Sequence, residues 1–267
     1  MEYAVRQQLQ KHSGDLEARE LNGLKIVHIW PDKVEFNGVD TIALPSGMEV
    51  EAYDDLLHFK NLTGVMFYGR AIENVDILTD MTGLTRVVLI QNENLTDISA
   101  LSTLSKLTTL VIHSNRNLKD FTPLGEISTL RELDLHLCGL EDIAFLEPLT
   151  MLKVVSLHNN LITDISPLEN CTNLQELDLH ANLVEDISVF SKFPKLFKVK
   201  LEANRISDIS AFRGLSEMRM VALDLNQVKD LSPLIGLEDL RKVSLTGNPL
   251  SAAEVAALRA RLPATCE

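Results

Sequence analysis

The stretch LKVVSLHNNLITDISPLENCTN, residues 152–173, sets a pattern that recurs along most of the chain. The next stretch, LQELDLHANLVEDISVFSKFPK (residues 174–195), has the same residue types at the same places. Both fit L-x-x-L-x-L-x-x-N-x-(I/V)-x-D-I-x-x-(L/F). The starting position recurs every 22 or 23 residues, at Leu62, Leu84, Leu107, Leu130, Leu152, Leu174, Leu196, Met218 and Leu240. A fixed period of this length indicates one supersecondary unit that is stacked many times.

Each repeat, or coil, begins with one short strand, as residues 130–151 illustrate. Leu133, Asp134, Leu135 and His136 alternate between apolar and polar, which is typical of a strand with one buried face. A single coil cannot bury its own leucines, so the coils must stack around a shared core. We therefore expect neighbouring coils to contribute parallel strands about 4.8 Å apart.

Position nine of the repeat is a column of asparagines. Its members are Asn92, Asn115, Asn160, Asn182, Asn204, Asn226 and Asn248, and the exceptions are Cys138 and Arg70. Stacked amides can hydrogen-bond the turning backbone of neighbouring coils, where polar groups would otherwise be buried unpaired. We expect this column to connect the coils.

The second half of each repeat returns the chain to the next strand. An aspartate column marks it, at Asp97, Asp120, Asp142, Asp164, Asp186, Asp208 and Asp230. Pairs such as Ser166-Pro167 follow two residues later, which is typical of a helix cap and a first-turn proline. Few residues remain before the next strand, so short 3₁₀ turns are favoured over α-helices. We interpret the aspartates as caps of this turn and not as calcium ligands, because the sequence lacks glycine-rich nonapeptides.

The two ends of the chain differ from the repeats between them. Residues 2–11 have the pattern of an amphipathic helix, and residues 251–261 that of a helix with a capping serine; both should shield the core of an open stack. Residues 29–47 are typical of a hairpin-like insertion around Asn37 and Gly38. We predict one structural domain with three parts: an N-terminal helical cap and degenerate repeat with the insertion (1–61), the repeats (62–250), and a C-terminal capping helix and tail (251–267).

The repeats resemble the internalin-type leucine-rich repeats of bacteria. DISPL at residues 164–168 carries the resemblance, and DISAL, DFTPL, DLSPL and DISVF keep its register in other coils. The resemblance covers residues 62–250. It implies an α/β leucine-rich-repeat solenoid, a right-handed curved horseshoe with a parallel concave sheet, short 3₁₀ turns on the convex side and helical caps at both ends. The 22-residue class is also similar to phosphatase-regulatory repeats.

Composition restricts the class of partner and the cellular compartment that we expect. A formal charge of −13 and a pI near 5.0 disfavour nucleic acid and anionic membranes as partners. The three cysteines lie far apart without a C-x-x-C pair, which favours reduced thiols. The first residues have no apolar signal-peptide core. We therefore expect a cytoplasmic protein, with secretion as the alternative if the chain is a mature fragment.

The outward positions of the strands form the expected binding surface, because solenoids usually bind through the concave face. This face divides into an apolar N-terminal zone, a middle zone of histidines and aspartates, and a mixed-charge C-terminal zone. The candidate partner-binding residues, at positions five and seven, are Met66, Tyr68, Val88, Ile90, Val111, His113, Asp134, His136, His158, Asp178, His180, Lys200, Glu202 and Asp224. Alternatively, the insertion folds over the apolar zone and hides it.

This pattern predicts a non-catalytic module that binds a partner protein. The expected apolar anchors are Tyr68, Met66 and Ile90, and the expected central polar contacts are His136, His158, Asp178 and Lys200. The sequence has no P-loop, metalloprotease, nucleophile-elbow or dinucleotide motif, so we predict no enzyme, no cofactor and no small-molecule substrate. The alternatives are a regulatory subunit or inhibitor of an enzyme, a secreted or surface adhesin, and a metal binder on the histidine column, which could also sense pH.

Overall fold

The computed structural model of the protein describes residues 2–8, 23–37, 40–43, 56–57, 59–69 and 72–262. The chain divides into an N-terminal unit (residues 1–130) and a C-terminal unit (residues 131–267). Arg70, the predicted exception in the asparagine column, lies outside the described residues.

Short strands recur with the repeat in both units. Those of the N-terminal unit are β1 (Ile26–Ile29), β2 (Lys33–Phe36), β3 (Asp40–Ala43), β4 (Gly64–Tyr68), β5 (Arg86–Ile90) and β6 (Thr109–His113). Those of the C-terminal unit are β7 (Glu132–Asp134), β8 (Val154–Ser156), β9 (Glu176–Asp178), β10 (Lys198–Lys200), β11 (Met220–Ala222) and β12 (Lys242–Ser244).

The sheet of the N-terminal unit combines a parallel ladder with an antiparallel edge. Its order is β6-β5-β4-β1-β2-β3, with β1, β4, β5 and β6 parallel. Strand β2 pairs antiparallel with both β1 and β3, and Phe36 lies opposite Asp40. This pairing confirms the predicted hairpin around Asn37, whose φ of 56° is left-handed. Residues 38, 39 and 44–50 of the insertion lie outside the described residues.

The sheet of the C-terminal unit is parallel, in the order β12-β11-β10-β9-β8-β7. Equivalent repeat positions lie directly opposite each other, as Val155 does with Leu177 and Leu177 with Val199. The uniform 22-residue step produces this register, because each coil brings position four back to the same height.

Position along the strand decides which side chains are buried. Positions four and six fill the core, as Leu177 and Leu179 do at 1% and 0% exposure. Positions five and seven point to the opposite side of the sheet, because successive strand residues face opposite ways. We call the surface made by positions five and seven the ladder face; it is the face that the sequence predicts to be concave.

The return legs are 3₁₀ helices, as predicted. They span Asp76–Leu78, Ser99–Thr103 and Thr122–Glu126 in the N-terminal unit, and Ala144–Leu146, Ser166–Leu168, Ser188–Lys192, Ser210–Phe212 and Ser232–Leu234 in the C-terminal unit. Each aspartate of the column accepts a hydrogen bond from the backbone N–H two residues later, at 2.7–2.9 Å. The turn-capping interpretation of the column is therefore confirmed.

The serine of the Ser-Pro pair has a different place from the one predicted. Ser166 is the first residue of its 3₁₀ helix and not the cap before it. Its backbone N–H and its hydroxyl both donate to Asp164, at 2.8 and 3.0 Å. The aspartate, one residue before the N-cap, supplies the acceptor in an Asx turn.

Helices occur at both ends of the chain. Helix α1 (Glu2–Gln8) buries Ala4 and Val5, and residues 9–11 of the predicted helix lie outside the described residues. Helix α2 (Ala252–Arg259) begins with the capping box of Ser251 and Glu254, which confirms the predicted serine cap. The stacked coils, 3₁₀ turns and terminal helices confirm the predicted fold class, whereas the three-part division of one domain stays a prediction.

Candidate functional site

The asparagine column fixes the end of each strand and thereby the ladder face. Asn182 donates through Nδ2 to the carbonyl oxygens of Leu157, in the preceding coil, and Leu179, both at 3.0 Å. Its Oδ1 accepts the backbone N–H of Ile162 at 3.1 Å. One buried amide thus satisfies three backbone groups that belong to two coils, as predicted. Positions five and seven consequently stack in regular columns within each unit.

Position eight, directly after the ladder face, is left-handed in every coil. It is occupied by Gly69, Gln91, Ser114, Leu137, Asn159, Ala181, Ala203, Leu225 and Gly247, with φ between 54° and 80°. Glycine adopts this conformation without strain, whereas a bulky side chain is an outlier there. The two leucines, Leu137 and Leu225, are nevertheless 44% and 61% exposed. Their conformation was not predictable from the repeat pattern alone.

Apolar side chains form the ladder face of the N-terminal unit. Met66, Tyr68, Ile90 and Val111 are half-buried there, as the predicted apolar zone requires. Val88, predicted to belong to this zone, is only 6% exposed and so offers little surface to a partner. At the border of the zone, His113 Nδ1 lies 3.2 Å from the hydroxyl of Ser114.

Two further residues of this face were missed at the level of sequence. His28 lies opposite Met66 in the pairing of β1 with β4, so Trp30 occupies the position next to Tyr68. Lys33 places its ammonium 4.3 Å from the centre of the Trp30 ring. The sequence contains a signal for both, because Leu24, Val27 and Ile29 form a further, degenerate start of the repeat. Counted from Leu24, His28 is at position five and Trp30 at position seven. Residues 38, 39 and 44–50 of the insertion suggested to cover this zone lie outside the described residues.

The ladder face of the C-terminal unit carries a stack of three imidazoles. The rings of His136 and His158 are 4.2 Å apart between centroids, and those of His158 and His180 are 4.3 Å apart. Both pairs are nearly parallel, with interplanar angles of 12°. The stack follows from the parallel ladder, which places position seven of adjacent coils side by side. The structure therefore brings together three of the predicted candidate residues.

Two aspartates orient the outer histidines of the stack. Asp134 Oδ1 lies 2.7 Å from His136 Nδ1 and also accepts the His136 backbone N–H at 3.1 Å. Asp178 makes the same pair of contacts with His180, at 2.7 and 3.2 Å. A carboxylate at Nδ1 favours the tautomer with its proton on that nitrogen, which leaves Nε2 as an acceptor. Nε2 of His180 lies 3.4 Å from Asn159 Nδ2.

Lys200 completes this polar cluster on the next coil. Its Nζ donates to Asp178 Oδ2 at 2.8 Å. Burial on its own raises the pKa of Asp178, but hydrogen bonds from Lys200 and His180 outweigh it and lower that pKa below its usual value. The hydrogen bond to Asp178 raises the pKa of Lys200. Both groups therefore stay charged near neutral pH.

The middle histidine has no carboxylate of its own. Burial, followed by the neighbouring His136, lowers the pKa of His158 to about 4. Asn159 Nδ2 lies 2.8 Å from His158 Nδ1, which indicates that this nitrogen accepts and that Nε2 carries the proton. His158 is consequently neutral at pH 7, and the stack presents both hydrogen-bond donors and acceptors at its edge.

The stacking geometry does not suit chelation of a metal ion. Imidazole lone pairs lie in the ring plane, so parallel stacked rings cannot aim two nitrogens at one ion. In the part of the chain that the structure describes, no group of three or more His, Cys, Asp or Glu is placed to hold a metal. The column is better suited to hydrogen bonding and packing.

The C-terminal zone contains Glu202 and Asp224 at position seven of the next two coils. Asp224 Oδ1 accepts the backbone N–H of Thr246 at 2.6 Å. Glu202 Oε2 is buried without a hydrogen-bond partner among the described residues. On the same face, Lys198 pairs with Glu176 at 2.7 Å, which shows how basic and acidic side chains of neighbouring coils meet.

Comparisons with known proteins agree with this architecture. A family model described as Leucine Rich repeats (2 copies) matches residues 150–192. The solved structure of an internalin (inlF) from Listeria monocytogenes is similar, with 25% identity, a TM-score of 0.64, and coverage of 96% of this chain and 85% of that chain. Internalin C2 of the same organism has 27% identity and a TM-score of 0.62, with 91% of each chain covered.

A more distant structure shares the fold alone. A leucine-rich-repeat protein of Leptospira interrogans is similar at 19% identity and a TM-score of 0.55, over 80% of this chain and 74% of that chain. No curated protein sequence matches the chain. Among the described residues, no helix has both the length and the apolar content needed to cross a bilayer.

The parallel ladder, the asparagine column and the 3₁₀ return legs define a leucine-rich-repeat protein. This fold is typical of protein–protein interaction modules. Within the class, the D-I-S-P-L register and the likeness to both Listeria structures make the chain similar to the internalin type of leucine-rich repeat.

Proposed function

We propose that this chain is a non-catalytic module that binds a partner protein through its ladder face. The observation that carries the proposal is the apolar surface of the N-terminal unit. Met66, Tyr68, Ile90 and Val111 stay half-exposed on adjacent strands, next to Trp30, while the opposite side of the same strands is buried. Contiguous apolar surface of this kind marks interaction sites more often than it occurs by chance.

The residue types of this surface support protein recognition. Tyrosine and tryptophan are the side chains that most often dominate binding energy at protein interfaces, because they bury a large area at low entropic cost. Tyr68 and Trp30 lie at adjacent position-seven sites, so one partner side chain can contact both. We propose Tyr68, Met66 and Ile90 as the apolar anchors.

The C-terminal unit supplies orientation to the proposed complex. His136, His158 and His180 offer hydrogen bonds from stacked and therefore rigid rings. Asp178 and Lys200 form a charged pair on the same face. Charged and hydrogen-bonding groups at an interface fix register and exclude wrong partners more than they add affinity. The remaining candidate residues at positions five and seven belong to the same proposed surface.

The acidic composition bears on the class of partner and on the compartment. A formal charge of −13 repels nucleic acids and anionic membranes. Cys171 is free and buried, which agrees with a reducing compartment. We therefore propose a cytoplasmic protein with a protein partner, organised as one domain in the three parts defined above.

The test is a double substitution, Tyr68→Ala with Ile90→Ala, in the full chain. Capture of partner proteins from an extract of the source organism should fall by roughly tenfold or more. The melting temperature should stay nearly unchanged, because both side chains lie on the outer side of the sheet. Capture is measured by quantitative mass spectrometry and melting by circular dichroism.

The matched control is Met151→Ala with Ile235→Ala. Both of these side chains are exposed apolar groups outside the ladder face. The control variant should capture the same proteins as the wild type. Unchanged capture by the Tyr68/Ile90 variant would refute the proposed site, and so would unfolding, since it would make these residues part of the core.

A further inference from the structure

Position two of the repeat is mostly basic in the C-terminal unit and is never acidic there. We call these six residues the basic column; in coil order they are Arg131, Lys153, Gln175, Phe197, Arg219 and Arg241. Positions two and three of these coils together carry six basic and two acidic side chains, a net charge of +4. The formal charge of the whole chain is −13. Positive charge is therefore concentrated here against the composition of the molecule.

The backbone holds cations of the column next to each other. The carbonyl of Arg131 accepts the N–H of Lys153 at 2.8 Å, and the carbonyl of Arg219 accepts the N–H of Arg241 at 2.8 Å. Residues paired in this way lie about 4.8 Å apart, the spacing of parallel strands. Like charges directly opposite each other on adjacent strands are destabilising. An anion that lies along the column would remove this repulsion.

The N-terminal unit shows what position two does when it serves the scaffold alone. Thr63, Thr85 and Thr108 occupy it, and each hydroxyl donates to a backbone carbonyl of the preceding coil at 3.1–3.2 Å. Threonine therefore strengthens the contact between coils. The side chains of Arg131 and Lys153 make no hydrogen bond or ion pair in the part of the chain that the structure describes. The scaffold does not explain why cations stand in place of threonine.

An aromatic ring lies within the column. Phe197 is only half-buried, and the guanidinium of Arg219 lies 5.5 Å from the centre of its ring. This cation–π contact orders Arg219 without using its N–H groups, which donate no hydrogen bond among the described residues. Aromatic residues and arginine are enriched in protein interfaces. The pair therefore offers an apolar surface and a positioned set of donors side by side.

We propose that the basic column binds an acidic segment of the partner protein, in which an apolar residue packs on Phe197 between carboxylates. Arg131 and Arg219 bind carboxylates through paired hydrogen bonds, and Lys153 adds a point charge. The column spans about 24 Å, the length of about seven extended residues. Position two lies about 10 Å along the strand from position five, so one partner can contact the column and the ladder face. This inference rests on the proposed function and specifies the chemistry of the partner.

The acidic residues beside the column restrict which anion it accepts. At position three and at the position before the starting leucine they are Glu132, Glu176, Glu217 and Asp239. Glu176 pairs with Lys198 at 2.7 Å, and Asp239 pairs with Arg241 at 3.2 Å. The charge of −13 on the whole chain repels a phosphate backbone that extends beyond the column. A short acidic peptide concentrates its charge over the column, so a peptide is favoured over a nucleic acid.

The experiment titrates the whole isotope-labelled chain with a capped peptide of about seven residues, glutamates around one central leucine. The backbone amide signals of Lys153, Phe197 and Arg219 should shift and saturate, and added salt should weaken the binding. A peptide with lysine in place of glutamate should leave these signals unmoved. Lys153→Gln combined with Arg219→Gln should weaken binding of the glutamate peptide by about tenfold, and Phe197→Thr by about fivefold.

Lys192→Gln combined with Lys229→Gln is the matched control variant. Both lysines are exposed and lie outside the basic column, so the control loses the same charge as the double test variant. It should bind the glutamate peptide as the wild type does. Equal weakening in the control would overturn the inference, because the attraction would then come from the net charge of the chain.

Two further comparisons define the partner class and separate this inference from the proposed function. A single-stranded oligothymidylate of the same charge as the glutamate peptide should bind more weakly, and equal or tighter binding would overturn the choice of an acidic protein segment. The absence of saturable shifts with the glutamate peptide would overturn the inference while leaving the proposed function standing. The Tyr68→Ala, Ile90→Ala variant should bind this peptide normally, because neither residue belongs to the column.

Discussion

The ladder faces of the two units differ completely in chemistry although their backbones follow the same rule. Positions five and seven carry Met66, Tyr68 and Ile90 in the N-terminal unit, whereas the C-terminal unit has stacked histidines and charged pairs there. The buried strand positions are mostly leucines, isoleucines and valines in both. The inward residues therefore determine the coil, and the outward residues are free to determine what the coil contacts.

If the scaffold is common to both units, damage to it should be equally severe in each. Asn115→Ala and Asn182→Ala are the test. Asn115 donates to the carbonyl of Leu89 at 2.9 Å and accepts the N–H of Asn92 at 2.8 Å, so it serves the N-terminal unit as Asn182 serves the C-terminal one. Each substitution leaves buried backbone groups without hydrogen-bond partners and should lower the free energy of unfolding by about 3 kcal/mol.

Urea unfolding followed by circular dichroism measures this loss. The control is Asn173→Ala, because Asn173 lies on the exposed return leg and its loss should change stability by less than about 0.5 kcal/mol. If one of the two asparagine substitutions lowered the free energy of unfolding strongly and the other left it almost unchanged, the two units would not share a scaffold.

The sequence was sufficient for the scaffold because its signal is periodic. Leucines at fixed spacing, asparagines at position nine and aspartates on the return leg each repeat many times, so local errors do not accumulate. The insertion was placed by its turn residues, Asn37 and Gly38. The serine of the Ser-Pro pair was misplaced by one position, because a cap and a first helical residue have similar preferences.

The candidate site was less predictable because its properties depend on contacts between coils. The order of the histidines was readable, but the 4.2 Å stacking and the two aspartates at Nδ1 depend on rotamers. Val88 is buried by its surroundings and not by its own repeat position. Glu202 Oε2 has no hydrogen-bond partner among the described residues because Lys200 donates to Asp178 instead. The spacing of the repeat does not specify that pairing.

Position eight is a second place at which the two units differ. The N-terminal unit has Gly69, Gln91 and Ser114 there, whereas the C-terminal unit has the exposed leucines Leu137 and Leu225. Leu225→Gly should raise the free energy of unfolding by about 1 kcal/mol, because glycine relieves left-handed strain that costs about 1–2 kcal/mol and returns part of it as chain entropy.

The control for this gain is Leu225→Ala, which keeps the β-carbon and therefore the strain. Its stability should equal that of the wild type within about 0.5 kcal/mol. Leu137→Gly should be stabilised as Leu225→Gly is. A loss of stability in the glycine variants would mean that the leucines contribute to folding and that their left-handed conformation is not a source of strain.

The smallest expected effect is the pH dependence of stability that His158 contributes to the C-terminal unit. The pKa of His158 is lowered to about 4 from an ordinary value of 6.5, because burial and the adjacent His136 oppose its charge. The unfolded chain therefore takes up a proton at a higher pH than the folded chain does. The contribution of His158 to stability is complete above pH 6.5 and is lost as the pH falls toward 4.

His158→Ile introduces the residue that the N-terminal unit has at the same position, Ile90, and should remove this component of the acid sensitivity. Since His158 is partly open to solvent, the difference between wild type and variant should be below about 1 kcal/mol between about pH 7.5 and about pH 4.5. Asp134, His136, Asp178 and His180 face His158 from the adjacent strands and are present in both proteins, so the difference isolates the middle ring. Urea unfolding at the two pH values measures it, and the imidazole Cε1–H shift of His158 reports its own midpoint. A midpoint near 6.5, together with parallel pH profiles, would show that the stack does not exclude the proton and that the two faces differ in composition but not in their response to acid.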